Sequence, residues 1–252
     1  MMRCGGQLTG SAPKVMSEVA IVAALEREIA GLVKNWRRVK RDFGTGRHEF
    51  FESERNILVC GGIGAEAARR ATEAMVALYQ PRELISVGFA GALQDSIHVG
   101  DVLEPATVVD ARDGSRWASE SGTGVLISFA AVAGKEQKSK LARAYSAQAV
   151  DMEAASVAKG AQAHGLRFRA VKVISDELSF AMPSMERFVT HDGRFRSGAF
   201  ALSTALHPGT WATVFQLARN SKRASRALCQ RLAALLAAPS NSGVAVGIQN
   251  RS

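Results

Sequence analysis

The chain has 252 residues, 47% of them hydrophobic and 6% aromatic, and a formal net charge of +9. That length suits one large domain or two small ones, at roughly 100–200 residues per domain. No apolar run approaches the ~18 residues of a membrane span, and no Cys/His group has zinc spacing, so neither a structural metal nor a spanning helix is expected. Three scattered cysteines, Cys4, Cys60 and Cys229, fit a reducing, cytoplasmic setting without a disulfide frame. The basic excess gathers in residues 34–41 (KNWRRVKR) and 219–231 (RNSKRASRALCQR). With few aromatics and no helix-turn-helix or RNA-stacking signature, nucleic acid is not the expected partner. A solvated basic face and an anionic partner are the two readings of that charge.

Residues 1–17 lack the apolar h-region of a secretory signal and read as a flexible tail, with Met16 an alternative start. VAIVAAL (residues 19–25) reads as a buried strand running into a helix, EREIAGLVKNW. HEFFES and NILVCGG read as two antiparallel strands around the charged turn near Arg55. The spacing of Ala67, Ala71, Met75 and Leu78 predicts a helix that ends before Pro81. ELISVGFAGAL, DVLEPATVVDA and TGVLISFAAV are further strand segments. Residues 149–165 (AVDMEAASVAKGAQAHG) are expected as a helix with Asp151 and Glu153 at its mouth. A buried strand over 168–174 then ends on Ser175-Asp176, where open α/β sheets place their ligands. Helices are expected over 194–206 and 211–237, and residues 238–252 as a flexible tail. The whole reads as one α/β domain, residues 18–237, with a mixed, mostly parallel central sheet flanked by helices.

Two glycine segments follow strands. Gly62, Gly64 and Ala67 satisfy a relaxed dinucleotide fingerprint, but the next strand ends in Gly88-Phe89-Ala90, without the acid that would hold an adenosine ribose. No dinucleotide cofactor is therefore expected. A tight strand-to-helix turn is the plain alternative for these glycines. In the second segment, residues 86–111, the small residues around Gly88 and Gly91 would let the backbone close over a ligand.

Taken in order, several motifs resemble the nucleoside phosphorylase and nucleosidase superfamily, in particular its methylthioadenosine/S-adenosylhomocysteine nucleosidase branch. They are Ala24-Leu25-Glu26-Arg27-Glu28, Gly61-Gly-Ile-Gly64, Val87-Gly-Phe-Ala-Gly91 with Val99-Gly-Asp-Val102, Val150-Asp-Met-Glu-Ala154 and Ile174-Ser-Asp176. They cover residues 19–177. The last third is more similar to the hopanoid-associated phosphorylases, which are associated with removing adenine from adenosylhopane. The resemblance implies a three-layer α/β sandwich, a homo-oligomer, no cofactor, and a small purine nucleoside as substrate. It implies cleavage of the N-ribosidic bond of a 5′-substituted adenosine, with a nucleoside-binding module lacking catalysis as the alternative from another class.

The resemblance also assigns roles. Asp176 matches the acid that protonates the leaving adenine, with Ser175 beside it; taken alone, Asp176 could also be a helix cap. Glu153 matches the acceptor of the ribose hydroxyls and Met152 the residue packed on the sugar. By themselves they would be a first-turn acid and a core residue. Glu28 matches the acid that directs the attacking water, although Glu26-Arg27-Glu28 also fits a solvated helix face. Gly64, Phe89, Ala90 and Gly91 match substrate-contacting segments, and Phe129 and Val132 are candidates for base contacts. Asp151 reads as a helix-start residue only. Ser86 stands where phosphorylases carry a phosphate-binding arginine, which favours water as nucleophile, with Arg27, Arg47 and Arg112 left as possible phosphate ligands. Phe89 replaces a usual serine, as a pocket wall or as packing. Trp211, Val214, Phe215, Ala218, Leu228 and Leu232 form one stripe of the last helix, and Arg219, Lys222, Arg223, Arg226 and Arg231 lie mostly off it. That helix either docks on the sheet or also rests peripherally on anionic lipid.

Overall fold

In the computed structural model, which describes residues 18–44, 46–180, 190, 193 and 211–238, β1 (Val19–Ala23) is apolar on both faces and lies inside the sheet. Ala20 and Val22 face one core; Ile21 and Ala23 face the other. That is the pattern of a strand covered by helices on both sides. The first core lies under α2 (Ala65–Tyr79) and α4 (Ala154–Ala163), which supply Ala68, Ala71, Met75, Val157 and Ala161. The second lies under α1 (Glu26–Val33) and α5 (Trp211–Ala237), through Ile29, Val33, Ala224, Leu228 and Leu232. A smaller third cluster joins α3 (Lys135–Tyr145) to the far half of the sheet.

The remaining strands are β2 (Arg37–Phe43), β3 (Gly46–Glu52), β4 (Asn56–Cys60), β5 (Glu83–Ala92), β6 (Val102–Leu103), β7 (Thr107–Asp110), β8 (Arg116–Ala118), β9 (Val125–Ser128), β10 (Ala149–Asp151) and β11 (Arg167–Asp176). They form one sheet in the order β2-β3-β4-β1-β5-β10-β9-β7-β8, with β11 paired to β5 and β6. The expected mixed sheet is present. One parallel block, β4-β1-β5-β11, meets another, β7-β9-β10, through the antiparallel β5–β10 pairing. At that seam Gly91 of β5 stands opposite Val150 of β10 and Asp176 of β11. Two strand ends carrying acids are thus brought together on one short stretch of β5.

Three sequence expectations change. Residues 149–151 are a strand, and the helix begins only at Ala154. A three-residue strand is too short to show period-2 alternation and reads as one with the alanine-rich helix behind it. The basic run from Arg37 is an edge strand paired antiparallel to β3, with Val39 and Phe43 packed against the first core. Its charges suit an edge, where they discourage pairing with another chain; Arg41 is anchored by the Tyr79 hydroxyl at 2.8 Å and by Glu52 at 3.1 Å. The stripe on α5 is only partly buried. Leu228 and Leu232 are in the core, whereas Trp211 is 46% and Phe215 73% exposed. The helix expected over 194–206 and both tails, apart from Ala238, lie outside the described residues. Among the described residues no helix is long and apolar enough to cross a membrane.

Candidate active site

Beyond the carboxyl ends of β1, β5, β10 and β11 lies a cavity of ≈ 420 Å³. Its lining includes Glu28, Glu153 and Asp176, which are drawn from distant parts of the chain. Met152, Phe89, Ala90, Gly91, Val132 and Ser175 line it too. Of the residues the resemblance assigns to the substrate, Phe129 and Gly64 do not. Phe129 packs against the third core cluster, with its N–H bonded to the Asp151 carbonyl at 2.8 Å, and Ala131, Val132 and Ala133 stand at the wall instead. Gly64 acts from behind: its N–H donates to Glu153 Oε1 at 2.7 Å. It does so at the start of α2 with φ 95°, a left-handed conformation that favours glycine.

Glu153 sits at the N-terminus of α4, and its second oxygen accepts from the Met152 N–H at 3.3 Å. Burial, reinforced by the nearby Asp151 charge, pushes its carboxyl up to about 7, against the opposing pull of Lys172 and the Gly64 N–H. Glu28 is buried on α1, where its carboxylate accepts from the Leu25 N–H at 3.3 Å. Burial raises its pKa above the usual carboxylate range, with the Leu25 bond and Lys172 working the other way. Glu28 is therefore a buried acid at the cavity wall and not part of a solvated helix face.

The glycines of the Gly-Phe-Ala-Gly segment serve these acids. A Cβ at Gly88, where φ is 143°, would stand 3.0 Å from Glu28 Oε2. A Cβ at Gly91 would stand 2.9 Å from Asp176 Oδ2 and 2.9 Å from Lys138 Cε. The small residues expected to admit a ligand therefore admit carboxylates first.

Two lysines were not singled out from the sequence. Lys172, in the middle of β11, is fully buried. It donates to Asp151 Oδ2 at 2.9 Å and to Ser86 Oγ at 3.1 Å. Burial opposes its charge, but the fields of Asp151, Glu153 and Glu28 outweigh that and hold its pKa above the ordinary lysine range. Asp151 is more than a helix-start residue: besides capping α4 through the Ala154 N–H at 2.9 Å, it accepts from Ser128 Oγ at 2.6 Å and from Lys172. The signal for Lys172 was present, since a charge in the apolar run around it has to be paired. Lys138 gave no such signal in the polar sequence of α3. It is buried nonetheless, with Nζ 2.5 Å from Asp176 Oδ2 and 2.8 Å from the Glu177 carbonyl, while Ser175 Oγ donates to Asp176 Oδ1 at 2.7 Å.

Of the three arginines considered for phosphate, Arg27 lines this cavity and Arg47 lines a neighbouring cleft. Arg112 is paired with Asp110 at 2.6 Å. Four residues of α5, Val214, Leu217, Ala218 and Ser221, close one side of the cavity beside the Phe89 segment.

A mixed sheet between helix layers, with an acid-lined cavity at the strand ends, defines the class of protein. The chain belongs to the Phosphorylase superfamily, whose sequence profile matches residues 18–131 and 120–207. It is 31% identical over 101 residues to a 5′-methylthioadenosine/S-adenosylhomocysteine nucleosidase of Marinomonas sp. (strain MWYL1), a match covering 37% of this chain and 42% of that protein. To the nucleosidase of the same name from Staphylococcus aureus (strain JH9) it is 25% identical over 197 residues, covering 63% of this chain and 86% of the relative. The crystal structure of the Helicobacter pylori 5′-methylthioadenosine/S-adenosyl homocysteine nucleosidase superposes with a TM-score of 0.66 at 17% identity, covering 88% of this chain and 98% of that one. The fold is therefore the one expected from the sequence motifs.

Proposed function

We propose that the chain hydrolyses the N-ribosidic bond of a 5′-substituted adenosine and releases adenine. The observation that carries this reading is the gathering of Glu28, Glu153 and Asp176 around one cavity. Cleavage of an N-riboside passes through an oxocarbenium-like sugar, as glycoside hydrolysis does. Asp176 serves the base, so that adenine departs with N7 protonated. Glu153 accepts hydrogen bonds from the ribose hydroxyls and, once ionised, stabilises the positive charge that develops on the ring. Glu28, whose burial strengthens its hold on a proton, takes one from the attacking water. Nucleosidases are prominent among the relatives, which supports the same chemistry.

Water is favoured over phosphate by charge. Glu28, Asp151, Glu153 and Asp176 line the cavity against Arg27 and Lys138, and Lys138 is engaged by Asp176. A phosphate dianion entering there meets carboxylates. The apolar side formed by Phe89, Val214, Leu217 and Ala218 supports a hydrophobic group on C5′. Methylthioadenosine is the short candidate and adenosylhopane the long one.

Chromatography of the products decides between these readings. Adenine and free sugar released from methylthioadenosine at a rate indifferent to phosphate is the expected result. A sugar 1-phosphate formed only with phosphate would establish phosphorolysis. Measurable nucleoside binding without any release would favour a binding module. A long-chain 5′-alkyl adenosine, run in competition with methylthioadenosine, reports the preferred substituent.

A further inference from the structure

We propose that Lys138 stores the proton that Asp176 delivers to the departing base, so that the acid of this site is a lysine–aspartate pair. This rests on the functional reading above and adds a residue to it. Both carboxylate oxygens of Asp176 are already acceptors: Oδ2 receives Lys138 Nζ at 2.5 Å, and Oδ1 receives the Ser175 hydroxyl at 2.7 Å. With both oxygens so occupied, the donor nearest to Asp176 Oδ2 is Lys138 Nζ, and that nitrogen holds the proton closest to hand for the base. Lys138 is 1% exposed, and its Nζ also donates to the Glu177 carbonyl at 2.8 Å and the Asp176 carbonyl at 3.5 Å. Both members of the pair line the cavity.

The surroundings preserve this arrangement. Gly91 stands opposite Asp176 in the sheet, and a Cβ there would lie 2.9 Å from Asp176 Oδ2 and 3.2 Å from Lys138 Nζ. As a purely structural device a buried ion pair is a weak choice, because desolvation offsets most of its attraction and apolar side chains of similar volume often serve as well. As a proton store beside a leaving group it has a use.

The step balances. As the C1′–N9 bond breaks, its electron pair stays with the base. The proton passes from Lys138 Nζ to Asp176 and from there on to N7, leaving a neutral lysine, a restored carboxylate and neutral adenine. The water oxygen bonds to C1′ and its proton goes to Glu28. Return of that proton to Lys138 through solvent resets the site. Lys138 acts through Asp176 and is a positioning residue for the proton rather than a group that touches substrate.

The test compares two leaving groups. Wild type, Lys138→Met and Lys138→Arg are assayed with methylthioadenosine and with the 4-nitrophenyl riboside of 5-methylthioribose, whose nitrophenolate leaves without a proton. With Lys138→Met, adenine release is expected to fall ~10²–10⁴-fold, the usual contribution of a general acid, while nitrophenolate release falls less than about tenfold. Lys138→Arg keeps the charge but not a transferable proton, so it is expected to remain defective on adenine alone. Adenine release that stays near wild type in Lys138→Met, or is restored by arginine, overturns the proton-store role. So does an equal loss on both substrates, which marks a structural residue. A wild-type protein that cleaves neither substrate overturns the functional reading itself, and this role with it.

Discussion

Lys172 Nζ lies 2.9 Å from Asp151 Oδ2, with both side chains out of solvent. The pair joins the middle of β11 to the end of β10 across the seam of the sheet, and Lys172 also faces the fields of Glu28 and Glu153. It is thus a cation shared by Asp151, Glu153 and Glu28. Removing one partner of a buried pair leaves the other charge uncompensated, which costs about 3–5 kcal/mol. Lys172→Met is expected to lose stability on that scale in urea unfolding, and Asp151→Asn less, because the amide keeps its size and can still cap α4. Equal and small losses would show that the pair holds nothing together.

Asp176→Asn preserves the outline of the side chain and an oxygen for Lys138, but it can neither hold nor relay a proton. Adenine release is expected to fall ~10²–10⁴-fold, with an unchanged far-UV circular dichroism spectrum. Turnover near wild type with this variant would remove Asp176 from the chemistry.

The parts of this molecule that were legible in the sequence are those where one residue pattern has one physical meaning. Apolar strands such as β1 and β11, and the α2 spacing of Ala67, Ala71 and Met75, are of this kind. The motif order brought Glu28, Glu153 and Asp176 together in expectation, and they do line one cavity. What stayed hidden depends on register. β10 is recognisable only from its pairing with β5 and β9, and β2 only from its ladder with β3. Lys138 looks like Lys135 and Lys140 until the fold buries it against Asp176. Phe129, a base-contact candidate in the sequence, packs against the third cluster and does not line the cavity.

The Glu153 carboxyl, raised to about 7 from an ordinary value of 4.5, makes both stability and activity depend on pH. Below 4.5 it is protonated in folded and unfolded chains alike. Between 4.5 and about 7 the folded state alone retains the proton, so stability falls as pH rises through that window. The raised Glu28 adds in the same direction. His48, whose pKa burial lowers, has the opposite slope because its imidazole must charge as pH falls. Melting temperatures are therefore expected to fall from about pH 4.5 to about pH 7, and Glu153→Gln to flatten that fall. Activity runs the other way, since only the ionised Glu153 accepts both ribose hydroxyls. kcat/KM for methylthioadenosine is expected to rise through the same window. A stability profile identical in wild type and Glu153→Gln would contradict the assignment.

Gly91→Ala separates the site from the fold. The backbone at Gly91 lies within β5, outside the left-handed region, so alanine fits the chain conformation there. Its Cβ meets the ends of two side chains rather than backbone: Asp176 Oδ2 and Lys138 Cε, each at 2.9 Å. Those ends can move by a few tenths of an ångström, which lets the protein fold while pushing the pair away from the position that serves the base. A displacement on that order is enough to disturb proton transfer, which needs heavy atoms within about 2.6–3.2 Å. The expected outcome is a protein that melts near wild type and releases adenine at least about tenfold more slowly, with the loss in kcat rather than KM. Gly88→Ala is the useful comparison, because its Cβ meets Glu28 Oε2 at 3.0 Å and its φ of 143° adds backbone strain. That variant is expected to lose stability as well as rate. If Gly91→Ala turns over like wild type, the close approach of β5 to the Lys138–Asp176 pair has no bearing on the reaction.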